Sequence, residues 1–478
     1  MTNEDKRLRV GLMGLGLEAY WEQFDGLESR LLGYLSTVEQ EVGGPGRVTV
    51  NLGLVDTPQK SMAAGHDCRR NDIDILLIYV STYALSSTVL PVVLRAKVPI
   101  LLLNLQPAAA IDYETFNRME NRTAMTGEWL AYCSACPTPE IANVLTRLDM
   151  PFHQVTGMLQ DDPECWQQIE EWLRAAEVVR TLAHSRLGLM GHYYSGMLDI
   201  ATDLAQVSGR FGIHIEQLEV EELSSLRRDL ASTALADKLN AFRDFFDVGA
   251  DCSDEELTRA ARTAVALDRF VEKNELDLLA YYHKGSGVAE NEDTMSSIIL
   301  GTSMLTGRGI PVAGEYEVKN VIAMKIMDLL GVGGSFSEYY AMDFTADLVL
   351  MGHDGPGHIG IAENKIKVRP LQVYHGKVGK GLSVEMSVKH GPVTFLSVVE
   401  DKACGFKLLA AEGESVAGQI LEIGNTNSRY KFPMGARRFV EQWNSHGPAH
   451  HCAIGLGHIA GQLEKVASLL GLGFKQVR

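Results

Sequence analysis

The last third of the chain holds carboxylates and imidazoles in positions that suit a shared metal ion. Glu315, Glu338 and His353 each lie beside a glycine or at the edge of an apolar run, and His450 and His451 lie together in a turn bounded by Gly and Pro. Carboxylate and imidazole ligands suit manganese, cobalt or magnesium better than a thiolate-seeking metal. A divalent cation held there can polarise hydroxyl and carbonyl oxygens of a substrate, so these residues indicate a metal-dependent enzyme.

Each of these residues alone also has an ordinary structural explanation. A carboxylate at Glu315 precedes a predicted helix, where the helix macrodipole favours negative charge. A histidine that ends a strand, as His353 is predicted to do, usually makes only a hydrogen bond. The metal hypothesis therefore requires a fold that brings widely separated segments into one cleft.

The elements that must position these residues follow from hydrophobic periodicity. Apolar strand-like runs alternate with helical patterns through most of the chain, which predicts parallel α/β sheets. Helices are predicted over residues 295–305 and 318–330, and β-strands predominate afterwards, including a run over 366–373. We predict two parallel-sheet α/β domains, 1–182 and 183–330, followed by a β-rich C-terminal domain, 331–478, that carries a terminal helix.

Length and charge narrow the class of protein. With 478 residues the chain exceeds the size of a single core, so several domains are expected. A formal net charge of -17, without clusters of Lys and Arg, argues against nucleic acid as a partner. The most apolar stretch, residues 89–103, is interrupted by Arg95 and Lys97, and the first residues lack a signal-peptide core, so we expect neither a membrane span nor export.

Cysteine usage favours a reducing compartment. The seven cysteines are an odd number scattered over a long chain, unlike a disulfide framework. Cys133 and Cys136 have C-x-x-C spacing, but no second pair follows at the distance of a zinc site. Partly buried free thiols in a cytoplasmic protein are the expectation.

A glycine pattern follows the first predicted strand. Gly11, Gly14 and Gly16 are spaced G-x-x-G-x-G, which departs from the dinucleotide-binding pattern G-x-G-x-x-G. We interpret them as a strand-to-loop turn at the ligand crevice of an open α/β sheet. Glu18 and Tyr20, which come next, are candidate sugar contacts, with surface or partial-core packing as the alternative.

Four motifs together resemble the L-arabinose isomerases, within the wider arabinose and fucose isomerase group. They are Ala313-Gly-Glu315, Ser335-Phe-Ser-Glu338-Tyr-Tyr, Asp347-Leu-Val-Leu-Met-Gly-His353 and Gly447-Pro-Ala-His450-His451. The resemblance implies three domains, a hexamer whose active site is completed by a neighbouring subunit, and a divalent metal, usually manganese. It also implies Glu315, Glu338, His353 and His451 as metal ligands, His450 as a substrate contact, and the two glutamates as the proton-transfer pair.

Other segments depart from the family pattern. The usual Gln-His-Leu-Tyr run after the first strand is replaced by Leu15-Gly-Leu-Glu-Ala-Tyr20, and Tyr132-Cys-Ser-Ala-Cys136 stands where a histidine normally reaches the adjacent protomer's site. The loop from His353 to His358 also differs, and His358 either contacts substrate or makes a loop hydrogen bond. The wall that faces the sugar is therefore expected to differ.

The expected function is a cytoplasmic, homo-oligomeric, metal-dependent aldose-ketose isomerase that acts on L-arabinose or a related pentose or deoxyhexose. Two alternatives remain open. One is a metal-dependent enzyme for a sugar acid or modified sugar, such as an epimerase. The other is a sugar-binding or sensing protein without catalysis, although binding alone needs no acid/base pair.

Overall fold

A computed structural model describes residues 7–371, 379–402 and 405–478. The chain forms two compact units, of which the first ends at Arg180 and the second begins at Thr181. Within the described ranges, no helix combines the length and the apolarity that a membrane span requires.

The first unit is an α/β domain built on one parallel sheet. Its elements are β1 (Leu8–Leu15), a 3-10 turn (Glu18–Tyr20), α1 (Leu27–Val42), β2 (Arg47–Val55), α2 (Pro58–Arg70), β3 (Ile75–Tyr79), α3 (Ser86–Ala96), β4 (Ile100–Gln106), α4 (Tyr113–Asn117), α5 (Arg122–Leu130), α6 (Thr138–Arg147), β5 (Phe152–Met158) and α7 (Pro163–Ala183). The strand order is β2-β1-β3-β4-β5. This doubly wound order places a crevice at the carboxyl ends of β1 and β3.

The second unit begins with another parallel sheet. Its elements are β6 (Arg186–Gly191), α8 (Leu204–Phe211), β7 (His214–Leu218), α9 (Val220–Leu226), α10 (Ser232–Phe245), β8 (Asp247–Val248), α11 (Asp254–Lys273), β9 (Leu278–Tyr282), α12 (Ala289–Ser296), α13 (Ile299–Gly307), β10 (Val312–Ala313) and α14 (Val318–Leu329). The strand order is β10-β9-β6-β7, and every pair is parallel. The carboxyl ends of these strands therefore meet at one edge.

The remaining residues form a β-rich region, in which most strands close into a barrel and two strands form a separate small sheet with β8. Its elements are β11 (Gly333–Asp343), β12 (Leu348–His353), a 3-10 turn (Ile359–Ile361), β13 (Lys367–Leu371), β14 (Gly381–Glu385), β15 (Gly391–Asp401), β16 (Gly405–Val416), β17 (Thr426–Lys431), α15 (Ala436–Ser445), β18 (His451–Leu456), α16 (Ala460–Leu469) and β19 (Gly473–Val477). The order β15-β18-β11-β12-β17-β16 closes because β15 also pairs with β16, and β19 adds to β16. Closure leaves fewer exposed strand edges.

The predicted fold class is confirmed, because parallel α/β regions precede an antiparallel, barrel-rich region. Strand β8 pairs with β13, which joins residues on the two sides of the predicted boundary after residue 330. The two predicted domain boundaries themselves stay a prediction. The predicted strand 366–373 appears as β13 up to Leu371, and residues 372 and 373, like Cys404, lie outside the described residues.

One predicted helix is divided in two. The expected helix over 295–305 is α12, which ends at Ser296, followed by α13, which begins at Ile299. At the junction, the Ser297 hydroxyl donates to the main-chain oxygens of Asp293, at 2.8 Å, and Thr294, at 3.1 Å. A serine that bonds back to the preceding turn bends or ends a helix, which periodicity alone does not reveal.

Gly352 sets the close approach of β12 to β17. A Cβ built at this position would lie 1.8 Å from the carbonyl oxygen of Thr426, which is far inside any van der Waals contact. Gly352 also pairs with Glu338 on the other side of β12. Only glycine permits this spacing in the barrel.

We predict that Gly352→Ala lowers the free energy of unfolding by about 1–3 kcal/mol, the cost typical of an overpacked site. Urea denaturation measures the change. Gly209 in α8 is the matched control because a Cβ there meets nothing within 4 Å. Gly209→Ala is expected to stabilise by about 0.5–1 kcal/mol through helix propensity. Equal stability of the two variants would contradict the packing argument.

Candidate functional site

A strained turn after β10 positions Glu315. Both Glu315, at φ 59°, and Tyr316, at φ 66°, adopt left-handed backbone conformations that cost non-glycine residues about 1–3 kcal/mol each. The turn is held because the Tyr316 amide donates to the Tyr281 oxygen, at 3.0 Å, and the Glu317 amide donates to the Gly314 oxygen, also at 3.0 Å. Such strain persists only where the surrounding structure compensates for it. Here it directs Glu315 away from the helix that follows.

The barrel positions the other carboxylate and two imidazoles. In the antiparallel register of β11 and β18, Glu338 lies directly opposite His451. Glu338 also pairs with Gly352 on β12, so His353 is the next residue along that strand. Directly opposed residues of an antiparallel pair have Cβ atoms about 4.5–5.5 Å apart. Strand register therefore brings together residues that lie far apart in the sequence.

Phe336 supports the two imidazoles. Its buried ring lies 4.3 Å from the His353 ring and 4.4 Å from the His451 ring, measured between centroids. The two imidazoles are 5.1 Å apart. An aromatic ring between them restricts their rotation and excludes water from that side.

Within the described residues, the candidate ligands form two overlapping groups that share His451. One group is Glu315, His450 and His451, and the other is Glu338, His353 and His451, and in each group one ligand atom per residue lies within 4.8 Å of the others. Glu315 Oε2 is 3.4 Å from His450 Nε2 and 3.5 Å from His451 Nε2. The fold thus gathers the four predicted ligands, together with His450, in one place.

His451 is oriented by a buried carboxylate. Glu317 Oε2 lies 3.4 Å from His451 Nδ1, and neither side chain is exposed to solvent. If Nδ1 carries the proton and donates to Glu317, the lone pair of Nε2 faces the cluster. Carboxylates commonly orient metal-binding histidines in this way. Nε2 is buried and has no hydrogen-bond partner among the described residues, as expected of a ligand atom.

His450 bridges two carboxylates. Its Nδ1 lies 2.6 Å from Asp199 Oδ2, which also accepts the His450 amide at 3.0 Å, and its Nε2 faces Glu315. Lys319 holds the segment around Asp199 in place. Its buried ammonium donates to the main-chain oxygens of Asp199, at 2.7 Å, and Ala201, at 3.1 Å. The His450 ring is therefore held at both nitrogens.

Burial and mutual charge shift the pKa values of the cluster. Burial, followed by the charge of Glu315, raises the pKa of Glu338 to about 7. Burial, followed by the charge of His450, lowers the pKa of His451 to about 3. Burial alone would lower the pKa of His450, but its contacts with Glu315 and Asp199 raise it to about 9. These shifts favour the imidazolium form of His450 and the neutral form of His451.

These properties decide which residues fit a metal. Both nitrogens of His450 face carboxylates, those of Asp199 and Glu315, which favours a role for His450 beside a metal over a role as its ligand. Glu315, Glu338, His353 and His451 supply carboxylate oxygens and neutral imidazoles, the donors that a manganese-type ion accepts. Metal-ligand distances of about 2.0–2.2 Å place two ligand atoms on opposite sides of an ion about 4.4 Å apart. The ligand atoms of each group lie within 4.8 Å of one another, so one ion can reach all three.

Known proteins resemble this chain over most of its length. Residues 333–473 match the family described as the L-arabinose isomerase C-terminal domain. An L-arabinose isomerase from Shewanella sp. (strain ANA-3) is 23% identical over 350 residues, which cover 70% of this chain and 67% of that protein. Sulfoquinovose isomerases from Priestia aryabhattai and Priestia megaterium are each 20% identical over 341 residues, covering 70% of this chain and 73% of those proteins.

The chain is similar to the L-arabinose isomerase family, most specifically over residues 333–473. The matched family region includes Glu338, His353, His450 and His451, and Glu315 lies before it. The relatives named above are all sugar isomerases, but they act on different sugars according to their names. The similarity is therefore to sugar isomerases as a class and not to enzymes of one particular sugar.

The other predicted site residues belong to neither of the two possible metal-binding groups. His358 is buried, and its Nε2 is 3.6 Å from Asp328 Oδ1 in the last turn of α14. That helix is about 18 Å long, so Asp328 is distant from Glu317 at its start. Glu18 is exposed and Tyr20 is partly buried, and both lie in the first unit. Substrate contacts by these three residues stay predictions.

Glu317 and Asp199 are site residues that the sequence did not reveal. Glu317 lies two residues after Glu315, a spacing that suggested only another charge at the start of a helix. Asp199 lies 251 positions before His450, and no local pattern marks it. A cavity of about 510 Å³ adjoins Asp199, and three carboxylates line it, those of Asp199, Asp203 and Glu400.

We predict that His353→Gln reduces Mn²⁺ affinity at least about 100-fold, since a lost ligand costs no less than a lost supporting residue does. Isothermal titration calorimetry on metal-stripped protein measures the affinity. His358→Gln is the matched control, because it changes a nearby histidine that is equally buried yet outside the cluster. Equal loss in both variants would indicate a general folding defect instead.

We also predict that Asp199→Asn lowers the pKa of His450 in the metal-free protein from about 9 toward its ordinary value. Removing the anionic partner removes part of the interaction that favours the imidazolium. Proton NMR titration of the His450 ring, assigned with His450→Gln, checks this. Asp203→Asn removes a neighbouring charge that does not contact His450 and should leave the titration nearly unchanged.

Proposed function

We propose that the chain is a metal-dependent aldose-ketose isomerase that works through an enediol. The main support is that Glu315 and Glu338 each belong to a possible metal-binding group that contains His451. Similarity to sugar isomerases with two different substrates agrees with this chemistry. Binding alone would not require two carboxylates at a metal site.

The reaction transfers a proton from C2 to C1 of the sugar. One carboxylate takes the proton from C2 while the aldehyde oxygen O1 gains a proton, which gives the enediol. C1 then receives a proton and the hydroxyl at C2 loses one, which gives the ketose with no net change in atoms or electrons. A positioned acid and base each contribute about 10²–10⁴-fold to such transfers.

The side chains divide these tasks. Glu315 is the proposed base at C2, because the neighbouring His450 imidazolium stabilises its ionised form. Glu338 is the proposed acid toward the substrate oxygens. His450, which is 34% exposed, is the proposed hydrogen-bond donor to a substrate oxygen. When bound, a divalent cation supplies Lewis-acid stabilisation of the negative charge that develops on adjacent sugar oxygens.

Several finer points belong to the same proposal. Manganese is the proposed metal, with cobalt or magnesium as alternatives. L-arabinose or a related pentose or deoxyhexose is one class of substrate, and a modified sugar is the other, as the name sulfoquinovose isomerase suggests. We further propose a cytoplasmic location and a homo-oligomer, with a hexamer as the family resemblance implies.

We predict that manganese-loaded protein converts at least one aldose from a panel that includes L-arabinose to its ketose. Chelation should abolish turnover, and Glu315→Gln or Glu338→Gln should lower kcat by at least about 10³-fold, within the range for proton-transfer groups. Ketose formation is followed by chromatography. Glu414→Gln, an exposed glutamate on the barrel, is the matched control and should retain full activity.

Two outcomes would count against this assignment. An active Glu315→Gln protein would refute its role in proton transfer. Ligand-induced thermal stabilisation by sugars across the panel, without any product, would favour a sugar-binding protein instead.

A further inference from the structure

The parallel sheet of the second unit places three side-chain positions in a row. Glu315 follows the end of β10, His283 follows β9, and His192 follows β6. These strands are successive neighbours in the order β10-β9-β6. Because neighbouring strands lie about 4.8 Å apart, the row spans about 10 Å.

The order of the strands reverses at β6, because β7 is added on one side of β6 and β9 on the other. This reversal makes the edge between β6 and β9 a ligand crevice. In open α/β sheets, ligands bind outside the carboxyl ends of the strands at such a point. The candidate metal residue Glu315 occupies one end of this crevice, so the β9 and β6 ends form its continuation.

Tyrosines connect the two parts of the crevice. The main-chain oxygen of Tyr281 accepts a hydrogen bond from the Tyr316 amide at 3.0 Å, which ties the end of β9 to the turn that carries Glu315. The Tyr282 ring lies 5.2 Å from the His192 ring. Burial, followed by the interaction with Tyr194 and then by the charge of Glu315, raises the pKa of Tyr282 to about 12. One residue thus lies near both His192 and Glu315.

The far part of the crevice carries one ammonium and two imidazoles. Lys284 is exposed and forms no ion pair with any residue that the structure describes. His283 Nε2 is buried and lacks a hydrogen-bond partner within the described part of the chain. His192 is exposed, with its Nδ1 2.8 Å from the Tyr193 oxygen. Burial, followed by the charge of His192, lowers the pKa of His283, as expected of adjacent imidazoles.

The nearest acidic side chains are engaged elsewhere. Glu221 and Glu292 act electrostatically on His283. Glu221 accepts from Asn291 Nδ2 at 2.7 Å, and Glu292 accepts from the Gly287 amide at 2.8 Å. Neither carboxylate forms an ion pair with Lys284, so the ammonium is left for another anion.

The loop after Lys284 is open. Gly285, at φ 124°, and Gly287, at φ 78°, adopt conformations that favour glycine, and a Cβ at Gly287 would meet nothing within 4 Å. Ser286, between them, is exposed and offers a hydroxyl donor. By contrast, the cavity beside Asp199 is lined by three carboxylates against one ammonium, that of Lys319, which disfavours an anion there. Charge therefore distinguishes the two spaces near the cluster.

We propose that Lys284, His283 and His192 form an anion subsite for a sulfonate or phosphate group on the terminal carbon of an aldose. This inference rests on the proposed function, which places C1 and C2 of the sugar at Glu315. An extended six-carbon chain spans about 6 Å, and a terminal oxyanion adds about 2 Å, by ordinary bond lengths. That reach matches the distance from the end of β10 to the ends of β9 and β6.

The test compares manganese-loaded protein on three sugars that differ only at C6. These are D-glucose, 6-deoxy-6-sulfo-D-glucose and D-glucose 6-phosphate. The expected result is a kcat/KM at least tenfold higher for one of the anionic sugars than for glucose, chiefly through KM. The two anionic sugars distinguish sulfonate from phosphate as the preferred group. Added salt should reduce the advantage of the anionic sugar, because screening weakens exposed charge pairs.

Variants assign the effect to the crevice. Lys284→Met should lower the ratio of kcat/KM for the preferred anionic sugar to that for glucose at least tenfold. Lys475→Met, which removes an exposed lysine from β19, is the matched control and should preserve the ratio. Equal use of neutral and anionic sugars, or an unchanged ratio in Lys284→Met, would overturn the subsite while leaving isomerase activity intact.

Failure of the proposed function is distinguishable from failure of the subsite. If none of these sugars nor L-arabinose is converted, the isomerase assignment fails. Calorimetric binding of glucose 6-phosphate, 6-deoxy-6-sulfo-D-glucose and glucose then decides the subsite separately. Tighter binding of an anionic sugar that Lys284→Met abolishes would support it, and equal binding would refute it.

Discussion

The antiparallel pairing of β11 with β18 is the constraint on which the site depends. It places Glu338 opposite His451, and through β12 it brings His353 beside them. Side chains alternate between the two faces of a strand, so a slip of one residue would turn His451 away from Glu338. Barrel closure and the close approach at Gly352 fix this register. The chemistry at the site therefore depends on backbone hydrogen bonds more than on any single side-chain contact.

Electrostatics explains why this cluster suits a cation. Glu315, Glu317 and Glu338 converge on His451 with little solvent, and burying ionised carboxylates without compensation is costly. His450, held between Asp199 and Glu315, supplies only part of the compensating charge. Burial accordingly raises the pKa values of Glu317, to about 8, and Glu338, to about 7. A divalent cation would favour the ionised carboxylates again.

The distribution of charge beyond the cluster bears on substrate choice. The net charge of -17 disfavours anionic ligands at long range, so an anionic sugar needs local cationic groups. The Lys284 ammonium and the imidazoles of His192 and His283 lie after the ends of β6 and β9, whereas three carboxylates and the Lys319 ammonium line the cavity near Asp199. The same sheet edge thus carries the reacting end of the proposed substrate and the groups that could select its other end. On this proposal, the difference from relatives that act on neutral sugars lies in the loops after β6 and β9. The residues of the candidate metal site on the barrel are kept.

The sequence by itself determined the element types and the first set of candidate ligands. Apolar periodicity predicted the α/β order and the β-rich end, and residue type together with motif resemblance marked Glu315, Glu338, His353 and His451. These features are local, because periodicity and short motifs are written within a few residues. Tertiary structure alone decided that these side chains meet, that Glu317 orients His451 and that Asp199 holds His450. Those contacts span 134 and 251 positions, and strand register and barrel closure establish them, which no local pattern encodes.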